Sequence, residues 1–155
     1  MPEPSEQDDT QRWHKRFAVE CNNRAWALSV QTRSTAEDRE MLDAAHASAW
    51  HWAQVGSELN RMRATMLVAE VHASLGMGAS ALALAETARR YFLGRDTPDW
   101  EIACAHAVYA HAAHAAGHAA EHRDAYGLAS AALAAIGDEE DRKIIAKTFD
   151  QVPRP

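Results

Sequence analysis

The stretch Met66–Ala88, MLVAEVHASLGMGASALALAETA, decides the fold because it carries two helical patterns separated by a glycine-marked turn. Apolar residues recur at helical spacing before the turn, over 62–73, and again after it, over 81–92. Gly76 stands where a helix would end in the left-handed region, which glycine enters at little steric cost. The stretch therefore predicts two helices in close contact, with small residues at the contact: Ala69, Ala81 and Ala88.

The same periodicity along the rest of the chain predicts seven helices and no strand. Ser34 and Glu37 have the spacing of a capping box, and Thr97-Pro98 suits an N-cap followed by the first helical residue. Gly127 lies inside the sixth helix, which predicts close packing there. The predicted helices cover about 11–31, 34–55, 58–75, 79–93, Pro98 to before Gly117, Gly117 to Gly137, and 138–149.

These helices predict a single domain over residues 11–150. Residues 1–10 are polar and acidic with nothing to bury, which predicts a disordered tail. Residues 151–155 contain two prolines and are predicted to be a frayed C-terminus.

The small residues of the opening stretch reappear 41 residues later, at Ala110, Gly117 and Ala129. This order of alanine and glycine resembles a divergent tetratricopeptide repeat, whose period of about 34 is here extended by the linker LGRDTPD. The segment HASAWHWAQVG, residues 46–56, also resembles a bacterial family of unassigned function. The resemblance implies an all-α, right-handed α-solenoid of about three helix hairpins with a C-terminal capping helix.

In tetratricopeptide-like stacks the first helix of each hairpin lines a concave groove that holds a peptide. Carried over by offset, the resemblance implies groove residues on the third and fifth helices. Arg63 resembles the cationic side chains that clamp carboxylates in such grooves. The implied groove residues are Arg63, Met66, Glu70 and Ala73 on the third helix and Cys104, Ala107, His111 and His114 on the fifth. Asn60 lies one turn before Arg63 on a neighbouring face and is included as a further candidate.

Histidine is the unusual residue type, with nine in the chain. His46 on an apolar face indicates either a titrating switch or a core histidine that is hydrogen-bonded across a helix interface, and the second interpretation is favoured. Trp50 indicates either the floor of a ligand pocket or packing against the first helix, with packing favoured. A metal site would use the ridge His111, His114 and His118, but Gly117 interrupts that helix, so no metal ligand is assigned.

The net charge of −6 disfavours nucleic acid and anionic membranes as partners. No apolar run approaches transmembrane length, and the acidic N-terminus is unlike a secretory signal. Cys21 and Cys104 are far apart in sequence on apolar helical faces, which indicates reduced, packed thiols and not a disulfide. Because thiols stay reduced in the cytosol, a cytoplasmic location is expected.

No phosphate loop, H-E-x-x-H, C-x-x-C or G-x-S-x-G motif occurs, so no cofactor and no catalytic residue are predicted and catalysis is the less favoured reading. The leading hypothesis is a non-enzymatic module that binds a protein or peptide segment in its groove. The alternative is a helical small-molecule or metal-binding protein, possibly an enzyme, with a pocket lined by histidine and tryptophan. A homodimer formed through exposed apolar helix edges is a third possibility.

Overall fold

The computed structural model describes residues 5–155, and within that range the chain is all-helical with no strand, as the periodicity predicts. No helix in this range is both long enough and apolar enough to cross a bilayer. The seven helices are α1 (Glu6–Ser29), α2 (Thr35–Val55), α3 (Glu58–Ser74), α4 (Gly78–Leu93), α5 (Asp99–Ala115), α6 (Ala119–Ala134) and α7 (Glu139–Phe149).

The predicted turn at Gly76 is confirmed. Gly76 has φ +74°, its N–H donates to the carbonyl of Ala73, and the N–H of Met77 donates to the carbonyl of His72. These two bonds are those of a Schellman motif, which satisfies the last carbonyls of α3. The α5–α6 turn repeats this geometry at Gly117, with φ +76°. Both glycines adopt a backbone conformation that other residues rarely take.

Capping chemistry explains where the helices begin. The predicted Ser34–Glu37 capping box is present, and a similar box between Ser5 and Asp8 starts α1 at Glu6 rather than at Gln11. Residues 6–10 are therefore helical and not part of a disordered tail, whereas residues 1–4 lie outside the described range. The Thr97 prediction is wrong by one residue: Pro98 is the N-cap of α5, and the Thr97 hydroxyl instead donates to the carbonyl of Phe92.

The predicted frayed C-terminus is also wrong. Val152 is buried against the main core, and the ring nitrogen Nε2 of His122 donates to the carbonyl oxygen of Pro153 at 2.7 Å. Residues 152–153 are thus held by an apolar contact with the core and by a hydrogen bond from α6.

The core lies around α3 and α5, which are buried on nearly every side. α3 contacts α1, α2, α4 and α5, whereas α5 contacts α3, α4, α6 and α7. Each odd-numbered helix also contacts the next odd-numbered one, so α1, α3, α5 and α7 form one layer. The predicted contact alanines all have a relative exposure of 1% or less: Ala69, Ala81 and Ala88.

Two glycines inside or beside helices have opposite surroundings. A Cβ atom on Gly78 would overlap the carbonyl oxygen of Ala115, so the start of α4 lies directly against the end of α5. A Cβ atom on Gly127 would meet nothing within 4 Å, so the close packing predicted there is wrong.

We therefore expect Gly127→Ala to raise the free energy of unfolding by about 0.5–1 kcal/mol, because alanine has the higher helix propensity and has room at this site. The matched substitution Gly78→Ala should lower it by about 1–3 kcal/mol through overpacking. Urea unfolding monitored by circular dichroism measures both. Equal effects of the two substitutions would contradict this account of the packing.

Candidate functional site

A cleft of about 500 Å³ opens between α1, α3, α5 and α7. All of its lining residues come from these four helices or, for Val30, from the C-cap of α1. They are Asn22, Trp26, Ala27, Val30, Arg63, Met66, Trp100, Cys104, Ile144, Ile145, Lys147 and Thr148.

The lining is apolar with a positive charge bias. Trp26 and Trp100 contribute aromatic surface, and Ile145 on α7 contributes aliphatic surface. The lining contains two basic residues, Arg63 and Lys147, and no aspartate or glutamate. Such a cleft suits an apolar group that carries a negative charge at one end.

Arg63 is held by a carboxylate buried behind it. Its Nε donates to Oε1 of Glu101 at 2.5 Å, and its guanidinium carbon lies 5.5 Å from the ring centroid of Trp100. The hydrogen bond to Glu101 raises the pKa of Arg63 against the opposing effect of partial burial. The Arg63 side chain remains 39% exposed, and within residues 5–155 no hydrogen bond uses its two terminal nitrogens. These nitrogens are therefore available to an anion.

A buried pair that does not line the cleft is formed by Glu70 on α3 and His111 on α5. His111 Nδ1 is 2.9 Å from Glu70 Oε1, and Glu70 is completely buried. Burial by itself would lower the pKa of His111, but the Glu70 charge and hydrogen bond outweigh burial and the nearby Arg33, so that pKa is raised. Glu70 Oε2 has no hydrogen-bond partner among the described residues. The pair joins the two central helices by charge and hydrogen bonding.

The cysteines show no sign of nucleophilic activation. Burial, followed by the charges of Glu70 and Glu101, raises the pKa of the Cys104 thiol far above its ordinary value. The thiol is therefore protonated at neutral pH and is a poor nucleophile. Cys21 is also free, but it is only half-buried, so the prediction of two packed thiols applies to Cys104 alone.

The groove residues implied by the tetratricopeptide resemblance are only partly brought together. Arg63, Met66 and Cys104 line the cleft, whereas Glu70 and His111 pair with each other instead of lining it. Asn60 is also absent from the lining, since its side chain closes a capping box with Ser57 at the start of α3. A short polar residue three positions after a serine was a signal for this capping role.

The remaining site candidates lie away from the cleft. His46 Nε2 is 2.9 Å from His72 Nε2, so His46 does bridge α2 and α3, but its side chain is exposed and not in the core. Trp50 packs its ring 5.4 Å from that of His14 on α1, as the packing interpretation predicts, yet it is 58% exposed.

The histidine ridge is dispersed by the turn at Gly117. His114 stacks edge-to-face on His122 with ring centroids 4.9 Å apart, whereas His118 is the exposed N-cap residue of α6. With His111 committed to Glu70, the three candidate ligands face different neighbours. Within residues 5–155 no three histidine, cysteine or acidic side chains come close enough together to hold a metal ion.

Sequence reasoning missed several cleft residues, above all those of α7. Ile145, Lys147 and Thr148 form one wall, although the periodicity indicated only that α7 seals the end of the fold. Trp26 on α1 and Trp100 on α5 also line the cleft. Their spacing on separate helices carries no signal that they share a cleft.

Comparisons with family models, with curated proteins and with solved structures give no match. The resemblance to tetratricopeptide repeats therefore stays a prediction.

The Glu70–His111 pair predicts a specific pH dependence. The pKa of His111 is raised above its ordinary value of 6.5. The contribution of the pair to the free energy of unfolding is therefore fully present below pH 6.5 and is lost as the pH rises through the pKa of His111 in the folded state. In Glu70→Gln, burial and Arg33 act alone, so the pKa of His111 should fall below 6.5. Titration of the imidazole resonances by NMR measures the pKa, with the exposed Glu86→Gln as the matched control. A His111 pKa that is the same in both variants would contradict the assigned cause.

The Arg63–Glu101 pair can be tested with a double-mutant cycle. Arg63→Met leaves the buried Glu101 carboxylate without its counter-charge and should lower the free energy of unfolding by about 1–3 kcal/mol. This is less than for a fully buried pair because solvent screens the exposed part of Arg63. Adding Glu101→Gln should recover most of the loss. Strictly additive effects in chemical unfolding would show that the two side chains do not stabilise each other.

Proposed function

We propose that the chain is a non-enzymatic interaction module that binds a segment of another protein in the cleft between α1, α3, α5 and α7. In this proposal the helices form a right-handed, tetratricopeptide-like stack whose odd-numbered helices line the concave side. The observation that carries the proposal is the origin of the lining: the odd-numbered helices and the C-cap of α1 contribute all of it, and α2, α4 and α6 contribute none.

The lining supports a particular mode of binding. An apolar side chain of the partner lies between Trp26 and Trp100, where aromatic surfaces give large contact area. A carboxylate of the partner then accepts hydrogen bonds from the terminal nitrogens of Arg63, whose position Glu101 maintains. Lys147 adds a second positive charge at the wall formed by α7.

The size of the cleft favours one second candidate, a small amphipathic anion. Its volume of about 500 Å³ falls within the range of roughly 300–1,000 Å³ that is usual for small-molecule pockets. The same apolar lining and the same two cations would hold such a molecule. The two candidates share the site and differ only in the occupant.

Ala27 offers a way to close the cleft without disturbing the core, because it is exposed and lies in the lining. The experiment selects peptides from a displayed random library on the wild-type protein and measures their affinity by calorimetry. Ala27→Trp should weaken binding by about tenfold or more, which corresponds to roughly 1.4 kcal/mol. The matched control is Ala131→Trp at an exposed position of α6, which should leave the affinity unchanged.

Peptide binding that survives Ala27→Trp would contradict the assignment of the cleft. If no peptide is enriched, the protein-binding proposal fails, and anilinonaphthalene sulfonate then tests the second candidate. Stoichiometric fluorescence enhancement by this dye, lost in Ala27→Trp and kept in Ala131→Trp, would support a small-molecule site.

A further inference from the structure

The first half of α1, Glu6–Phe17, has no buried side chain. The second half of the same helix places Ala18, Ala25 and Leu28 in the core. A helical segment of only about 12 residues is marginally stable in water on its own propensity. Stable helices normally bury an apolar face against a neighbouring element. The second half of α1 does so, whereas the first half does not.

That exposed half contributes to a cluster of aromatic side chains, which we call the end patch: Trp13, His14, Phe17, Trp50 and His51. The rings of Trp13 and Phe17 stack with centroids 5.7 Å apart, and the Nδ1 atoms of His14 and His51 are 2.8 Å apart. Trp13, Phe17 and Trp50 are nonetheless 44%, 41% and 58% exposed. Contiguous exposed aromatic surface of this kind marks an interaction site, and tryptophan is among the residues that dominate interface energies.

The charges along α1 indicate what covers the end patch. The first turn carries Glu6, Asp8 and Asp9, and the next two turns carry Arg12, Lys15 and Arg16. If α1 of a second copy ran antiparallel to α1 of the first copy, the acidic turn of each helix would lie against the basic turns of the other. A two-fold axis between Arg12 and Trp13 brings Asp9 of one copy opposite Arg16 of the other and makes the contact self-complementary.

We propose that two copies of this chain associate through their end patches, with the first halves of their α1 helices antiparallel. The existing partners of the two charged residues allow this. Asp9 pairs with Arg12 at 2.9 Å and Arg16 with Glu20 at 3.0 Å, but these pairs are exposed and neighbour each other on one helix, so they contribute little. Pairing across the interface replaces them without leaving a buried charge.

The interface leaves the cleft open. The contribution of α1 to the cleft comes only from its second half, through Asn22, Trp26 and Ala27. Dimerisation therefore stands or falls independently of the proposed function.

Sedimentation velocity over a range of protein concentrations tests the proposal. The wild-type chain should shift from monomer to dimer as concentration rises. Trp13→Ser and Trp50→Ser should each raise the dissociation constant of the dimer by about tenfold or more, as expected for aromatic residues at the centre of an interface. The matched control is Leu128→Ser, which removes a comparably exposed apolar side chain from α6, outside both the end patch and the cleft. A wild-type chain that stays monomeric at all concentrations, or a dimer that Trp13→Ser and Trp50→Ser weaken no more than Leu128→Ser does, would overturn the proposal.

Charge reversal tests the antiparallel register. Asp9→Lys and Arg16→Glu should each weaken the dimer, because each places like charges across the two-fold axis. The double variant Asp9→Lys/Arg16→Glu restores opposite charges and should recover most of the wild-type affinity. A double variant that is weaker than either single variant would refute this register.

Discussion

The contact between α3 and α5 is the interaction on which the rest of the structure depends. Both helices are buried on nearly every side, and each of them contacts three further helices. Within this contact Glu70 and His111 form a buried pair. An isolated carboxylate at such a depth would be strongly unfavourable, so the pair requires that the two helices lie in one register.

The cleft follows from that register. With α3 and α5 adjacent, α1 and α7 are the outer members of the same layer, and the space between the four helices becomes the cleft. Glu101 then lies behind Arg63, where it orients the guanidinium while the side chain stays partly exposed. The same acidic chain, with its net charge of −6, thus presents a locally cationic and apolar surface.

Four of the nine histidines fall into two groups whose pKa values shift in opposite directions. His111 faces a carboxylate, and its pKa is raised. His51, His72 and His114 each face another histidine, and burial followed by the neighbouring imidazole lowers their pKa values. His51 joins α2 to α1, His72 joins α3 to α2, and His114 joins α5 to α6. Acid therefore weakens these three contacts, whereas it strengthens the contact of His111 with Glu70 by protonating the imidazole.

The sequence by itself determined the helices and most of their ends, because helix formation and capping depend on residues within one or two turns. The turn at Gly76, the capping box at Ser34 and the buried alanines were all predicted correctly. Only the tertiary structure decided which side chains meet across helices. It placed α7 on the cleft and gave His111 and His114 different partners, since these outcomes depend on helix register and crossing, which local spacing does not encode.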